Sequence, residues 1–494
     1  MKRALAPVLL SLACASAVSA KDLVGVYEDA TKNDPQVHAA DANRLASREA
    51  RPQAWANLLP QLSGTASRTR QKDDGNQTQF VPDPITGGLL AVPFAFTSDS
   101  TVKRYGLNLS ASLFSYSNLM TLKEADAQVA QAEANYHVAE QNLMVRVSQA
   151  YFTVLEAQDD LDAQQASLEA IARQLDQANK RFDVGLIAIT DVEEAKAARD
   201  TAAAQVIAAK RTLATTVDQL SEITGEKYDS LSKPGDRMPL NNPEPASEDK
   251  WVEVSLDQNL SLVSSRLAAD VARANVQVQF GGHLPTIELT ASRTHTSTDE
   301  TETAAGGSLA LPSAITDKQL GIQISVPIFS GGGTQSRVRQ SQYLWIAAKE
   351  QVVQTTRATE RLARDAYLGV ISGIARVQAL RQALESNQTA LKATEAGYEV
   401  GTRTAVDVLN ARRSLVQAQT DYARSRYDYI QSIIQLRLAA GTLNRKDLEE
   451  IDKWLDVTEA TVPVAPLNPS DTSTPAAPPG TPVPGATRPP GSQN

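Results

Sequence analysis

Two stretches of the chain alternate apolar and polar residues, which is the pattern of a half-buried β-strand. Between 106 and 114, leucine or alanine occupies every second position, with asparagine or serine between them. Isoleucine and valine repeat this alternation between 321 and 329. The residues that precede each stretch predict two further, weaker strands. In all, the pattern predicts four amphipathic strands, at about 60–72, 103–114, 285–297 and 318–329, with long loops over 71–102 and 296–317.

After each pair of strands the apolar period lengthens to seven residues. Six consecutive heptad positions are apolar in both halves: Val147, Val154, Leu161, Leu168, Leu175 and Phe182, then Ala363, Val370, Val377, Leu384, Leu391 and Tyr398. Such a repeat is typical of helices that pack as coiled coils. The predicted helices cover about 117–184, 188–224, 334–400 and 404–440. The first of them would be on the order of 100 Å long.

The two halves of the chain repeat each other. The five residues at 65–69, Thr-Ala-Ser-Arg-Thr, return unchanged at 290–294. The turn around Gly185 also matches the turn around Gly401. A fixed order of two strands and two helices therefore occurs twice, which predicts structural repeats over 21–240 and 241–457.

The remaining segments read more simply. Lys2 and Arg3 precede an apolar run that ends in small residues, which predicts a signal peptide over 1–20. Lipoprotein processing before Cys14 stays an alternative, although Leu12 lies one place late for the usual recognition motif. Proline marks an irregular connector at about 225–257. Proline, serine, threonine and glycine dominate 458–494, which predicts a disordered tail.

The formal charge of −9, without a basic stripe, argues against a nucleic-acid partner. The sole cysteine is Cys14, so the rest of the chain offers no disulfide, thiol nucleophile or cysteine zinc site. The four histidines, His38, His137, His283 and His295, lie far apart and without metal-ligand spacing. We therefore expect no metal and no cofactor.

Two short motifs imitate catalytic ones. The glycine run at 330–333 lacks the lysine of a phosphate-binding loop, and is better explained as a strand-to-helix turn. The serine and lysine of 230–233 have β-lactamase spacing, but Pro234 follows where a catalytic helix should continue. Since no nucleophile, base and orienting group occur together, the sequence predicts no enzyme.

Beyond residue 20 no stretch reaches the roughly 18 apolar residues of a membrane-spanning helix. A chain that crosses a bilayer without such a helix must use a closed β-barrel, and four strands cannot close one alone. The sequence therefore predicts a mixed α+β membrane protein, internally duplicated, whose strands need partner copies.

With these parts in this order, the chain resembles the TolC family of outer-membrane channel-tunnel proteins over about 22–455. The specific matches are the doubled plan and the turn motifs at 181–192 and 398–409. The resemblance implies a homotrimer: one twelve-stranded β-barrel in the outer membrane, on an α-helical tunnel that extends into the periplasm. It also implies an exit duct for efflux or type I secretion, with outer-membrane lipid, a periplasmic adaptor and an RND or ABC inner-membrane pump as partners.

The resemblance places the constriction at the tip of the tunnel, where the turns at Gly185 and Gly401 converge. Asp407 matches an inward-facing aspartate of the family, so a trimer would carry a ring of three carboxylates. One helical turn further, Asn410 stands where close relatives often have a second aspartate.

Tyr398 and Arg403 match residues that hold the closed tip through contacts to Thr190 and Asp191. An arginine fork on a carboxylate would supply a charge-assisted latch. The alternative is a local surface pair between Arg403 and Asp407, worth only about 0.3 to 0.5 kcal/mol.

A periplasmic coiled-coil adaptor that contacts a channel without entering lipid is the alternative function. Such an adaptor has no need for the apolar row Leu107, Leu109 and Leu113, which suits contact with hydrocarbon. The exported substrate stays open, since substrate choice in such assemblies belongs largely to the pump.

Overall fold

The computed structural model describes residues 20–460, apart from 86, 236–237 and 305–306. The expected signal peptide over 1–20 lies outside the described residues except for its last residue. The expected tail over 458–494 lies outside them beyond residue 460.

Both halves of the chain follow one order of short helices, long strands, long helices and a short strand. The first half contains α1 (Leu23–Asn33), α2 (Pro35–Arg48), α3 (Ala50–Ala56), β1 (Gln61–Pro82), β2 (Leu89–Phe114), α4 (Tyr116–Asp183), α5 (Ile189–Thr224) and β3 (Ser230–Pro234). The second contains α6 (Glu248–Gln258), α7 (Leu260–Phe280), a 3₁₀ turn (Gly281–His283), β4 (Thr286–Ala304), β5 (Gly307–Ala310), β6 (Ser313–Ser325), α8 (Gly333–Glu399), α9 (Ala405–Ala439), α10 (Arg445–Asp452) and β7 (Leu455–Ala460).

The strands extend through the segments where the sequence predicts long loops, so the predicted loops over 71–102 and 296–317 are wrong. Residues 71–79 and 296–303 are polar or glycine on both faces, and 89–96 are apolar on both, so none of these segments shows the alternation that marks a strand. Antiparallel pairing supplies the backbone hydrogen bonds regardless, and the β1–β2 register runs unbroken from Gln61 opposite Ser110 to Pro82 opposite Leu89. At the other end, β6 stops at Ser325, short of the predicted limit of 329.

The heptad repeat did not predict six further helices, of which all but the 21-residue α7 are too short to show such a repeat. They are α1, α2, α3, α6, α7 and α10, and α6 together with β3 occupies part of the expected connector over 225–257. Their N-caps were the available signal. At the start of α2, the Asp34 side chain accepts a hydrogen bond from the amide of Val37, and a proline occupies the first helical position. At the start of α7, the Asn259 side chain accepts a hydrogen bond from the amide of Leu262.

The main sheet is antiparallel, with the order β1-β2-β4, and both β5 and β6 pair with β4. Its register gathers the apolar side chains on one face. One row across the four long strands consists of Leu62, Leu109, Ala291 and Leu320. Leu62 is 71% exposed and Leu320 is 79% exposed, so this apolar face lies open.

The densest core lies midway along the long helices, where α1, β3 and α10 pack against α4 and α9. We call this buried cluster around Tyr151, Phe152, Tyr429 and Ile434 the waist. The Tyr151 hydroxyl is inside it and donates to the carbonyl of Ser232 at 2.5 Å. Aromatic side chains of this size dominate the burial that holds the helices together.

The predicted heptad seam is buried at the waist and thins towards the far ends of α4 and α8. Val147, Val154, Val370 and Val377 are all buried, whereas Phe182 is 39% exposed. Small clusters rich in alanine replace the aromatic core there. Within the described part of the chain, every helix falls short of the combined length and apolar character that a membrane crossing requires.

The N-terminus of α1 is tied to α10 through a carboxylate. Asp452 Oδ1 accepts a hydrogen bond from the amide of Leu23 at 3.0 Å. Burial, together with the nearby charge of Asp22, raises the pKa of the Asp452 carboxyl to about 6. Because the folded state then binds a proton more tightly than the unfolded chain, stability falls as pH rises from about 4 to 6.

We expect Asp452→Asn to stabilise the protein at pH 7.5, because the amide keeps an oxygen for Leu23 and carries no charge to bury. After discounting for partial exposure, the gain is about 1 kcal/mol at pH 7.5 and vanishes below about pH 4. Thermal unfolding of the detergent-solubilised protein at both pH values measures it. Glu450→Gln, which removes an exposed carboxylate from the same helix, is the control. A lower melting temperature for Asp452→Asn at pH 7.5 would contradict the assignment.

Candidate functional site at the tip of the helices

Two glycine turns form the tip, one between α4 and α5 and one between α8 and α9. Gly185 and Gly401 adopt left-handed backbone conformations, with φ of +75° and +78°. In the second turn the amide of Thr402 donates to the carbonyl of Gly397 at 2.8 Å, which closes the end of α8. No atom lies within 4 Å of a Cβ built at either glycine, so the backbone conformation, and not lack of space, requires glycine there.

The two helix pairs contact each other near these turns. The Arg181 guanidinium carbon lies 5.2 Å from the centre of the Tyr398 ring, a cation–π contact between α4 and α8. Slightly further from the tip, Leu409 packs in a buried cluster with Ile171 and Ala202. Tyr398 thus contacts the first half of the chain, but its partner is Arg181 and not the predicted Thr190 or Asp191.

Asp407 belongs to a capping box at the start of α9. Its Oδ2 accepts from the amide of Thr404 at 3.0 Å and from the Thr404 hydroxyl at 2.9 Å. In return, the Asp407 amide donates to Thr404 Oγ1 at 3.2 Å. The hydrogen bonds from Thr404, with a smaller contribution from the charge of Arg403, hold the pKa of the Asp407 carboxyl below its usual value. This carboxylate is therefore ionised at neutral pH, and Asn410 lies exposed one turn further along.

The residues of the predicted latch do not meet within one chain. Arg403 and Thr190 are exposed, and among the described residues no hydrogen bond or ion pair joins Arg403 to Thr190 or Asp191. Nor does Arg403 form the local ion pair with Asp407, whose carboxylate is bonded by Thr404. The latch between Arg403 and Asp191 stays a prediction.

Duplication makes Asp191 the counterpart of Asp407, since both occupy the third position of their helix. Only the second copy carries the complete box, because the N-cap of α5 is Ala188, which has no side-chain acceptor. A threonine three residues before an aspartate, ahead of an apolar run, was the signal for this box in the sequence.

The catalytic look-alikes have structural roles. The glycine run at 330–333 turns from β6 into α8, with Gly332 as the N-cap at φ +81°, as predicted. Lys233, at the end of its serine-lysine motif, forms an ion pair with Asp159 at 3.4 Å. No group of histidine, cysteine, aspartate or glutamate in the described ranges could hold a metal ion.

The unequal caps predict opposite effects of two substitutions. Thr404→Ala should weaken the start of α9 by about 1 kcal/mol, whereas Ala188→Thr should strengthen the start of α5 by a similar amount through a new box with Asp191. Hydrogen–deuterium exchange measures both effects. We expect roughly fivefold faster exchange of the peptide covering 402–409 in Thr404→Ala, and roughly fivefold slower exchange of the peptide covering 186–193 in Ala188→Thr. Thr404→Ser keeps the hydroxyl and should exchange like the wild type. Unchanged exchange in Thr404→Ala would show that the box does not hold this turn.

Comparisons with known proteins agree with this architecture. The sequence profile of the outer membrane efflux protein family matches residues 26–226 and 251–442. Outer membrane protein TolC of Escherichia coli is 35% identical over 483 residues, covering 95% of this chain and 93% of TolC. Outer membrane protein TolC of Vibrio cholerae is 34% identical over 444 residues, covering 90% of this chain and 95% of the relative.

The fold is shared with solved channels. The crystal structure of the Campylobacter jejuni CmeC outer membrane channel superposes with a TM-score of 0.67 at 19% identity, over 88% of this chain and 90% of CmeC. The matches confirm the resemblance to the TolC family and favour the channel over the periplasmic adaptor. This chain belongs to the outer membrane efflux protein family, as an outer-membrane channel of efflux and secretion systems.

Proposed function

We propose that three copies of this chain form one exit duct, in which their sheets close into a twelve-stranded barrel and their long helices into a tunnel. A periplasmic adaptor and an inner-membrane pump of the RND or ABC type would deliver the substrate to the tunnel. The pump, and not this chain, would select the substrate. In this proposal the structural repeats over 21–240 and 241–457 both line the duct.

The open sheet is the observation that carries the proposal. Among the described residues, the outer strands β1 and β6 each pair on one side only. β1 alone is 22 residues long, so its free edge presents a long row of unpaired amides and carbonyls. Such groups are costly in hydrocarbon, and pairing β1 of one copy with β6 of the next would satisfy them.

The long helices support the same assembly. On α8, large apolar side chains remain exposed, with Tyr343 at 69%, Leu344 at 59% and Leu368 at 54%. Apolar surface of this extent on a helix that already packs against α7 and α9 is typical of an interface. Neighbouring copies would bury it.

In the trimer, three Asp407 carboxylates would surround the axis at the tip, with a polar ring of Asn410 beside them. Their low pKa keeps the charge in place at neutral pH. A ring of carboxylates in a narrow pore favours cations. Arg403 and Tyr398 would latch the closed tip to Thr190 and Asp191, and because these contacts are missing inside one chain, the Arg403 contact would cross to a neighbouring copy.

Engineered cysteines test the trimer, since the chain contains no cysteine other than Cys14. We expect Gln319→Cys on β6, combined in turn with Ser63→Cys, Thr65→Cys or Ser67→Cys on β1, to give a covalent trimer in one register. Two strands separate β1 from β6 within a chain, so this disulfide must be intermolecular. Ser63→Cys with Asn108→Cys, which are directly paired, should give only an intramolecular bond. A protein that stays monomeric in every combination and carries no current in planar bilayers would refute the proposal.

Asp407→Asn should reduce the cation selectivity of the reconstituted channel and weaken its block by multivalent cations by about tenfold or more. The amide oxygen can still accept from Thr404, so this variant removes the charge and keeps the cap. Asn410→Asp adds a second ring and should strengthen the block. Glu450→Gln, far from the tip on α10, is the charge-matched control. Selectivity and block that are unchanged in Asp407→Asn would exclude Asp407 from the constriction.

A further inference from the structure

Cations appear on the apolar face of the sheet where its apolar rows end. Next to the row that contains Ala291 and Leu320, the following row on the same face places Arg293 directly opposite Lys318. Two rows further on, Arg68 lies directly opposite Lys103. Same-face rows lie about 7 Å apart. We call Arg68, Lys103, Arg293 and Lys318 the basic rim.

Three of the four cations of the basic rim have no anion within the part of the chain that the structure describes. Lys103 pairs with Asp299 at 3.0 Å, whereas Arg68, Arg293 and Lys318 form no ion pair there. Like charges directly opposite each other destabilise a sheet. The pair of Arg293 and Lys318 is therefore the one that an external anion would stabilise most.

The other face of the same strands has the opposite charge. Among the described residues of the four long strands, that face carries a single basic residue, Arg104, and five acidic ones, Asp73, Glu288, Glu300, Glu302 and Asp317. Excess positive charge is thus specific to the apolar face. A general need for a soluble surface would not sort the charges in this way.

The position of the basic rim fits the headgroup level of a membrane. Below Lys318 the apolar side chains continue along β6 and beyond it to Ile328, ten residues away, which is 94% exposed. Ten residues span at most about 33 Å when fully extended, or about 25 Å at the usual strand tilt, which is the height of the apolar band of an outer-membrane barrel. The basic rim lies at the edge of this band that is remote from the long helices.

We propose that the basic rim binds the phosphate groups of a phosphorylated lipid in the outer leaflet, whose acyl chains lie on the apolar rows that contain Leu320 and Ile322. This inference rests on the proposed function, because it needs the apolar face to point outwards and the helices to lie in the periplasm. A phosphate between Arg293 and Lys318 accepts charge-assisted hydrogen bonds from both and removes their repulsion. Arg68 then contacts a second phosphate of the same or a neighbouring headgroup, while Lys103 keeps its ion pair with Asp299.

The experiment measures lipid retention by native mass spectrometry of the purified, detergent-solubilised full-length protein incubated with lipid A. We expect the wild type to retain lipid A, and the double variant Arg293→Gln/Lys318→Gln to bind it at least about tenfold more weakly. Arg104→Gln removes a cation from the opposite face of the same sheet and should bind like the wild type. Lipid A stripped of its phosphates should bind the wild type as poorly as intact lipid A binds the double variant.

Three results would overturn the inference: equal retention by the double variant, equal loss in Arg104→Gln, or equal binding of the dephosphorylated lipid. Competition by inorganic phosphate at concentrations comparable to lipid A would likewise overturn it, since the site would then recognise the free anion.

Oligomeric state and conductance of the same samples separate this inference from the proposed function. A conducting trimer without a preference for the phosphorylated lipid refutes only the lipid site. A protein that neither assembles nor conducts refutes the duct.

Discussion

The backbone hydrogen bonds along the free edges of the main sheet constrain everything else in this protein. A strand of 22 residues with one unpaired side cannot enter hydrocarbon at a tolerable cost, and water cannot satisfy it there. The open apolar face adds the opposite demand, because in water it would aggregate. In the proposed trimer, neighbouring copies would pair with the edges and lipid would cover the face.

Internal duplication gives each half of the chain two long helices and a share of the main sheet. The two tip turns, at Gly185 and Gly401, have nearly the same backbone. The copies then diverged in their side chains, as the pair Ala188 and Thr404 shows. Equivalent positions in the two halves therefore share geometry but differ in chemistry. Asp191 and Asp407 illustrate this, since only the latter is bonded by its cap.

The sequence predicted those elements whose period is imposed by one-sided burial. Leu107 and Leu109 alternate with polar residues because one face of β2 is apolar, and Val147 and Val154 recur because one stripe of α4 is buried. Where both faces are polar, as over 70–79 of β1, the period disappears while the strand continues. Backbone hydrogen bonds to the adjacent strand stabilise such a strand, and they produce no recognisable pattern of side chains in the sequence.

The sequence predicted the two turns of the tip, but not the contact between Arg181 and Tyr398. The turns were found because a left-handed residue is nearly always glycine, a local requirement. The contact of Arg181 with Tyr398 joins residues far apart in the chain, and no local pattern encodes it. Likewise, the partner of Arg403 could not be read from residue types alone, since three carboxylates or hydroxyls nearby were plausible in spacing. Local sequence patterns thus predict the backbone turns of the tip, whereas the side-chain contacts depend on how the helices pack.

The uneven packing along the helices has a mechanical consequence. At the waist, large rings such as Tyr151 and Tyr429 are fully buried, while towards the tip small residues such as Ala178, Ala195 and Ala198 make the buried contacts. Sliding across alanines disturbs little packing, whereas rotation at the waist would open cavities. Displacement of a helix pair therefore disturbs less packing near the tip than at the waist, so the tip is the end of the helices that moves at the lower cost.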